Sequence, residues 1–274
     1  GQLSLIPFEA LIDEKNQFLI ENYSFTYLTS GRDLLRMQTK RESQNKPLVI
    51  ANPLFGTSET IASVSNKRQS ITATRNLSDT FFAPLGGTLQ EARAIKTIFP
   101  NADFLTEANA TETALKNTNA PQILHLATHG FFLEFQNTAP KTENPLLRSG
   151  LAFAGANLRK GEKDDGILTA LEASALNLWG TKLVVLSACD TGLGEVRNGE
   201  GVYGLRRSFV LAGSESLVMS LWSISDYVTR EMMTNYYKNL KSGLGRGVSL
   251  RQVQLEMLKK PNRQHPFYWA SFIQ

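Results

Sequence analysis

Cysteine is nearly absent from this chain: Cys189 is the only one among 274 residues. A single thiol excludes an internal disulfide and any metal site built on several cysteines, and it fits a reducing compartment. Charge of one sign is also missing. Lys+Arg of 29 against Asp+Glu of 25 leaves +4, too weak over this length to argue for nucleic-acid binding, and no basic cluster stands out. No apolar run approaches the roughly 20 residues that a membrane span needs. The opening GQLSLIPFEALIDEK lacks the basic-then-apolar pattern of a signal peptide. The expectation is a cytoplasmic protein without membrane contact, and the abrupt start at Gly1 suggests a piece of a longer chain. There is no internal repeat and no low-complexity segment. What remains, with 42% hydrophobic and 20% charged residues, is a globular composition long enough for a sizeable core.

The lone thiol sits in an informative place. Leu183 to Leu186 is an apolar run with no alternation, as expected of a strand buried on both faces. Ser187, Ala188, Cys189, Asp190, Thr191 and Gly192 are small or turn-forming, so the chain leaves the sheet at Cys189. A second such run, Ile123 to Thr128, ends in His129-Gly130. In an open parallel α/β sheet, ligands bind beyond the carboxyl ends of the strands. If the two strands are neighbours, about 4.8 Å apart, an imidazole is brought beside a thiol. That is a nucleophile and its base, because a nearby imidazole accepts the thiol proton and, once charged, favours the thiolate. Asp190 is an awkward neighbour, since a carboxylate beside a thiol opposes its ionisation.

Along the chain, Asn22 to Leu28 and Pro47 to Asn52 read as strands. Residues 57–83 are rich in Ser, Thr, Asn and basic residues and read as a surface connection. Thr88 with Glu91 three positions later forms a capping box for a helix through Phe99, ended by Pro100. A strand at Ala102–Leu105 and a helix at Ala110–Asn117 precede the His129 strand, and this alternation predicts a parallel sheet with crossover helices. Residues 131–163 read as one long irregular loop, a lid or substrate wall. A glycine-rich loop at 192–204 enters a helix over Gly204–Ala212, and a strand follows at Leu217–Trp222. Two covering helices at 226–241 and 246–259 and an aromatic tail, His265–Ile273, complete the chain.

Other chemistries fit less well. His125 and His129 would stand about 13 Å apart on an extended strand, too far to chelate one metal, and Leu126 stands where a zinc protease helix has glutamate. No metal and no other cofactor is expected. The 192–204 loop lacks the Gly-Lys-Ser/Thr ending of a phosphate cradle. A redox-sensing thiol lacks a second cysteine to resolve it.

Four blocks then carry a resemblance: ILHLATHGFF (123–132), DGILTALEASALNL (165–178), the stretch from LVVLSACDTGLGEVRNGEGVYG onward (183–226), and HPFYWASFI (265–273). In this order, and across nearly the whole chain, they resemble the CHAT domain, a caspase- and separase-related peptidase domain often found after tetratricopeptide repeats in bacteria. The resemblance implies a caspase-like three-layer α/β/α sandwich with a mostly parallel sheet. It also implies that His129 is the base, that Cys189 is the nucleophile, and that the backbone N–H groups of Gly130 and Cys189 form an oxyanion hole. Each such donor is typically worth about 3 kcal/mol.

The resulting expectation is a cysteine endopeptidase acting on a protein substrate, with a supporting lobe at 1–76 and a catalytic core at 77–274. Regulation by a tetratricopeptide region or an activator protein is expected. Asp164, Asp165, Asp190, Glu195 and Asp226 are candidates for an acidic pocket selecting Arg or Lys, although exposed carboxylates are usually just solvated. The competing reading is a scaffold or latent interaction module of the same fold.

Overall fold

The apolar runs form the inside of a parallel sheet. In the computed structural model, residues 6–39, 41–43, 45–56, 80–133, 144–159, 164–188 and 200–274 are described, with 200–203 by backbone alone. The strands are β1 (Leu48–Pro53), β2 (Asp103–Glu107), β3 (Ile123–Ala127), β4 (Gly130–Phe132), β5 (Ser149–Ala152), β6 (Ile167–Thr169), β7 (Leu183–Leu186), β8 (Leu217–Ser220) and β9 (Phe272–Ile273). Six of them make one sheet in the order β2-β1-β3-β7-β8-β9, parallel except for the β8–β9 pair. β7 and β8 are buried along their whole length, whereas β2, at one edge, is at least partly exposed throughout. That contrast is what a sheet covered on both faces but open at its edge requires.

The helices are α1 (Leu19–Asn22), α2 (Asp33–Met37), α3 (Gly86–Ile98), α4 (Glu112–Lys116), α5 (Ala170–Ala173), α6 (Glu200–Leu211), α7 (Asp226–Lys241), α8 (Arg246–Leu258) and α9 (Pro266–Trp269). One core joins Ala92, Ile95 and Ile98 of α3 with Met232, Met233 and Tyr236 of α7 and Leu250 and Val253 of α8, against Val49, Ala127 and Val185 of the sheet. The opposite face packs Leu115, Ala173, Leu205 and Phe209 on Ile50, Leu124, Leu126 and Leu186. Alternate residues of each strand thus serve opposite layers, and the architecture is an α/β/α sandwich.

From β1 the chain crosses through α3 to β2 on one side, then through α4 to β3 on the other. α3 and α4 therefore cover opposite faces, as right-handed crossovers in opposite directions demand. The reversal makes a switch point between β1 and β3, the place where open α/β sheets bind their ligands.

Several local expectations are corrected. The strand expected at Asn22–Leu28 does not form: residues 23–28 join no ladder, and Tyr27 N–H donates singly to the Gln274 carbonyl beside β9 at 2.8 Å. The 131–163 stretch is not one irregular loop, because β4 continues directly from the His129 strand and pairs antiparallel with β5, which pairs with β6. Gly150 reads as loop in sequence but is required by packing: a Cβ there would lie 2.4 Å from the Leu168 carbonyl oxygen and 2.6 Å from the Phe131 ring. The tail contains the short helix α9 followed by β9. Residues 57–79, 134–143, 160–163 and 189–199 lie outside the described residues, and with them most of the surface connection, parts of the expected lid and the start of the glycine-rich loop.

Candidate active site

β3 and β7 pair in parallel, with Leu126 opposite Leu186. One step further, the Ser187 N–H donates to the Leu126 carbonyl at 2.9 Å. The strand ends are therefore level, and His129 and Cys189 each follow three residues beyond that last paired couple. Cys189 itself, with Asp190 and Glu195, lies outside the described residues. Ala188 is fully buried, and its carbonyl accepts from Ser220 Oγ of β8 at 2.8 Å.

His129 is 7% exposed. Its ring lies against Phe55 beyond β1, 5.2 Å between centroids, and Phe82, at 5.9 Å. Both flanking aromatics are buried. Nε2 lies 2.7 Å from the Ala83 carbonyl oxygen. A carbonyl only accepts, so Nε2 carries the proton and Nδ1 of the neutral ring holds the lone pair. Nδ1 is buried and has no hydrogen-bond partner among the described residues. Burial pushes the imidazole pKa below its ordinary value, with the Ala83 carbonyl and the Asp226 charge opposing. The ring is thus kept neutral, the form a general base needs.

The Ala83 carbonyl is held in place from a distance. Asn157 grips the neighbouring peptide groups: Phe82 N–H donates to Asn157 Oδ1 and Asn157 Nδ2 donates to the Phe82 carbonyl, both at 2.9 Å. Asn157 N–H donates in turn to the Phe55 carbonyl at 2.8 Å. β4 is tied to the same region, because the Ala152 N–H donates to the His129 carbonyl at 2.9 Å. Gly130, buried, opens β4.

The acidic candidates fall in different places. Asp164 Oδ2 accepts from the Thr113 N–H at 3.1 Å, at the start of α4. Asp165 Oδ1 accepts from the Ile167 N–H at 2.9 Å. Both carboxylates serve local backbone donors. Asp226 opens α7 and presses on Gly87, where a Cβ would lie 2.0 Å from its Oδ2. It is the one described member of the set whose charge reaches His129. Among the described residues no group of three or more His, Cys, Asp or Glu side chains could hold a metal ion.

Sequence reasoning missed the Ala83 carbonyl, the Phe55 and Phe82 walls and the true place of Glu91. Glu91 caps nothing. It is 3% exposed, its Oε2 accepts from Ser187 Oγ at 3.1 Å, and its Oε1 lies 3.2 Å from His125 Nε2, close but not aligned as a hydrogen bond. The available signal was a carboxylate on the apolar face of α3, in step with Ala92, Ile95 and Ile98.

A family model for the CHAT domain matches residues 1–274. The chain belongs to the CHAT domain family. Tetratricopeptide repeat protein 28 of Homo sapiens is 23% identical to this CHAT domain over 293 residues, covering 100% of the chain and 11% of that protein. Its Mus musculus counterpart is 23% identical over 294 residues, covering 99% and 12%. The chain therefore spans about a tenth of the length of these relatives. Among solved structures, the Arg specific cysteine proteinase gingipain R is similar at TM-score 0.47 and 10% identity, over 88% of this chain and 50% of that one. The complex of Porphyromonas gingivalis RgpB pro- and mature domains gives 0.46 and 12%, over 88% and 51%. No helix among the described residues is long and apolar enough to cross a membrane.

Proposed function

We propose that this CHAT domain is a cysteine endopeptidase working through a His129–Cys189 dyad. The observation that carries the reading is the register of β3 against β7, which ends the two strands level and leaves each dyad member three residues further on. His129 Nδ1, the nitrogen with the lone pair, takes the thiol proton as Cys189 Sγ attacks the scissile carbonyl. The N–H groups of Gly130 and Cys189 receive the developing oxyanion. The C–N bond then breaks, the imidazolium gives its proton to the departing amine, and water releases the acyl group from sulfur by the same base.

Residues 1–76 act as the supporting lobe of a catalytic core at 77–274. Asp226, with Asp190 and Glu195, supplies an acidic subsite for Arg or Lys, while Asp164 and Asp165 are committed to backbone donors. The substrate is a protein, the setting cytoplasmic, and control comes from a tetratricopeptide region or an activator, in keeping with the repeat-containing relatives. One observation favours a latent state as a second reading: the base is enclosed by Phe55 and Phe82 and only 7% exposed. An activator that opens this aromatic wall distinguishes latency from a scaffold without activity.

The test is proteome-wide mapping of new N-termini with the parent protein and its activator candidates, against Cys189→Ala and His129→Ala controls. The reading expects cleavages that vanish in both controls. Cleavage retained in either variant refutes the dyad.

A further inference from the structure

Glu91 stands out in α3. The other buried residues of the helix are Thr88 and the apolar Ala92, Ile95 and Ile98, which pack on the sheet as an amphipathic helix should. Placing a carboxylate on that face is costly unless it is met by polar partners. Glu91 meets one from each of the two strands that lead to the dyad. Ser187 Oγ, two residues before Cys189, donates to its Oε2 at 3.1 Å. His125 Nε2, four residues before His129, lies 3.2 Å from its Oε1. His125 Nδ1 is in turn 2.8 Å from the hydroxyl of Tyr237 on α7. Ser187, His125 and Tyr237 are all buried, so a change in one of these polar groups is felt by the others in a low-dielectric setting.

The same helix also governs the base. Its lead-in segment carries the Ala83 carbonyl that holds His129 Nε2 at 2.7 Å. Three residues beyond that carbonyl the helix starts at Gly86.

We propose that Glu91 is a positioning residue for the dyad: it ties the end of β7 to the helix whose entry holds His129, and so fixes thiol and imidazole relative to each other. The inference rests on the dyad reading above. Ser187 is the link through which Glu91 acts on the nucleophile, and Ser220 Oγ of β8, at 2.8 Å from the Ala188 carbonyl, secures the next peptide. A purely structural role for Glu91 would affect stability without touching the thiol.

Cys189 is the sole cysteine of the chain, so its alkylation by iodoacetamide, read as mass added to the Cys189 peptide, reports one thiol. Rates are measured from pH 5 to 10 for wild type, Ser187→Ala, Glu91→Gln and His129→Ala, each below its own unfolding transition. In wild type the pH midpoint should fall below the ordinary thiol value of about 8.5. Ser187→Ala and Glu91→Gln should move it upward by about one unit, slowing alkylation at pH 7 about tenfold. Ser187→Ala removes a single hydroxyl and carries the test if Glu91→Gln does not fold. A folded Ser187→Ala protein with the wild-type profile overturns the positioning role while His129→Ala still shifts the midpoint. If His129→Ala leaves the profile unchanged, the dyad itself fails, and the positioning role with it.

Discussion

Replacing Asn157 with alanine tests how the base is held without touching it. The substitution removes both hydrogen bonds to the Phe82 peptide groups, each 2.9 Å long, from a residue that is partly buried. Each bond is worth about 1 kcal/mol net, more where a buried group is left unpaired, so a loss of about 2 to 3 kcal/mol is expected. For a chain of this size that corresponds to a fall in melting temperature of roughly 4 to 10 °C. The second effect is chemical. Ala83 follows Phe82 directly, so loosening Phe82 frees the carbonyl that fixes the proton on His129 Nε2. Scanning calorimetry reads the first effect. Long-range proton–nitrogen NMR of the imidazoles reads the second: one His129 tautomer in wild type, with the proton on Nε2, and a mixture in Asn157→Ala. Asn157→Asp, which keeps the acceptor for the Phe82 N–H and loses the donor, should fall between the two. A variant that melts within about 1 °C of wild type and keeps a single His129 tautomer refutes the idea that Asn157 secures the base.

Other consequences follow from the same geometry. Glu112 is buried at the start of α4 and pairs with Lys116, which also meets Glu172. Burial, against the opposing Lys116, pushes its carboxyl up to about 7. A carboxyl that binds its proton more tightly when folded stabilises below the ordinary carboxylate value of about 4.3, and this contribution is lost as pH rises from there to about 7. Glu112→Gln should therefore flatten that part of the stability profile, by an amount on the order of 1 to 3 kcal/mol. An unchanged slope in urea melts between pH 4.5 and 7.5 would contradict it. Gly87→Ala puts a Cβ 2.0 Å from Asp226 Oδ2, so the carboxylate must move. We expect a loss of about 1 to 3 kcal/mol and a lowered His129 titration midpoint, because a charge favouring the imidazolium has been displaced. A His129 midpoint equal to wild type by NMR would show that Asp226 does not act on the base.

The sheet was legible because parallel strands buried on both faces are spelled as continuous apolar runs. ILHLA and LVVL became β3 and β7 close to the expected bounds, and their adjacency, only a condition in the sequence, is seen in their pairing. The misreadings have physical causes. Tyr23, Phe25 and Tyr27 alternate as a strand does, but a ladder needs repeated pairing, and Tyr23 N–H instead closes α1 on the Leu19 carbonyl while Tyr27 N–H donates to the Gln274 carbonyl, both at 2.8 Å. Thr88 and Glu91 have the spacing of a capping box, yet the same offset also turns a side chain inward. Thr88 Oγ1 donates to the Leu85 carbonyl at 2.8 Å, and Glu91 faces the strands. β5 was hidden by the glycine that its close packing requires. The Ala83 carbonyl is a backbone atom and has no letter of its own, so the partner that sets the tautomer of His129 is visible only once the chain is folded.

The most direct measurement is a crystal structure of the chain after reaction with a peptidyl acyloxymethyl ketone carrying Arg next to the ketone. The account predicts a thioether on Cys189 Sγ, with His129 Nδ1 turned to that sulfur at roughly 3 to 4 Å and Nε2 still on the Ala83 carbonyl. A modified Cys189 whose sulfur faces away from the imidazole, or lies well beyond that reach, would contradict it.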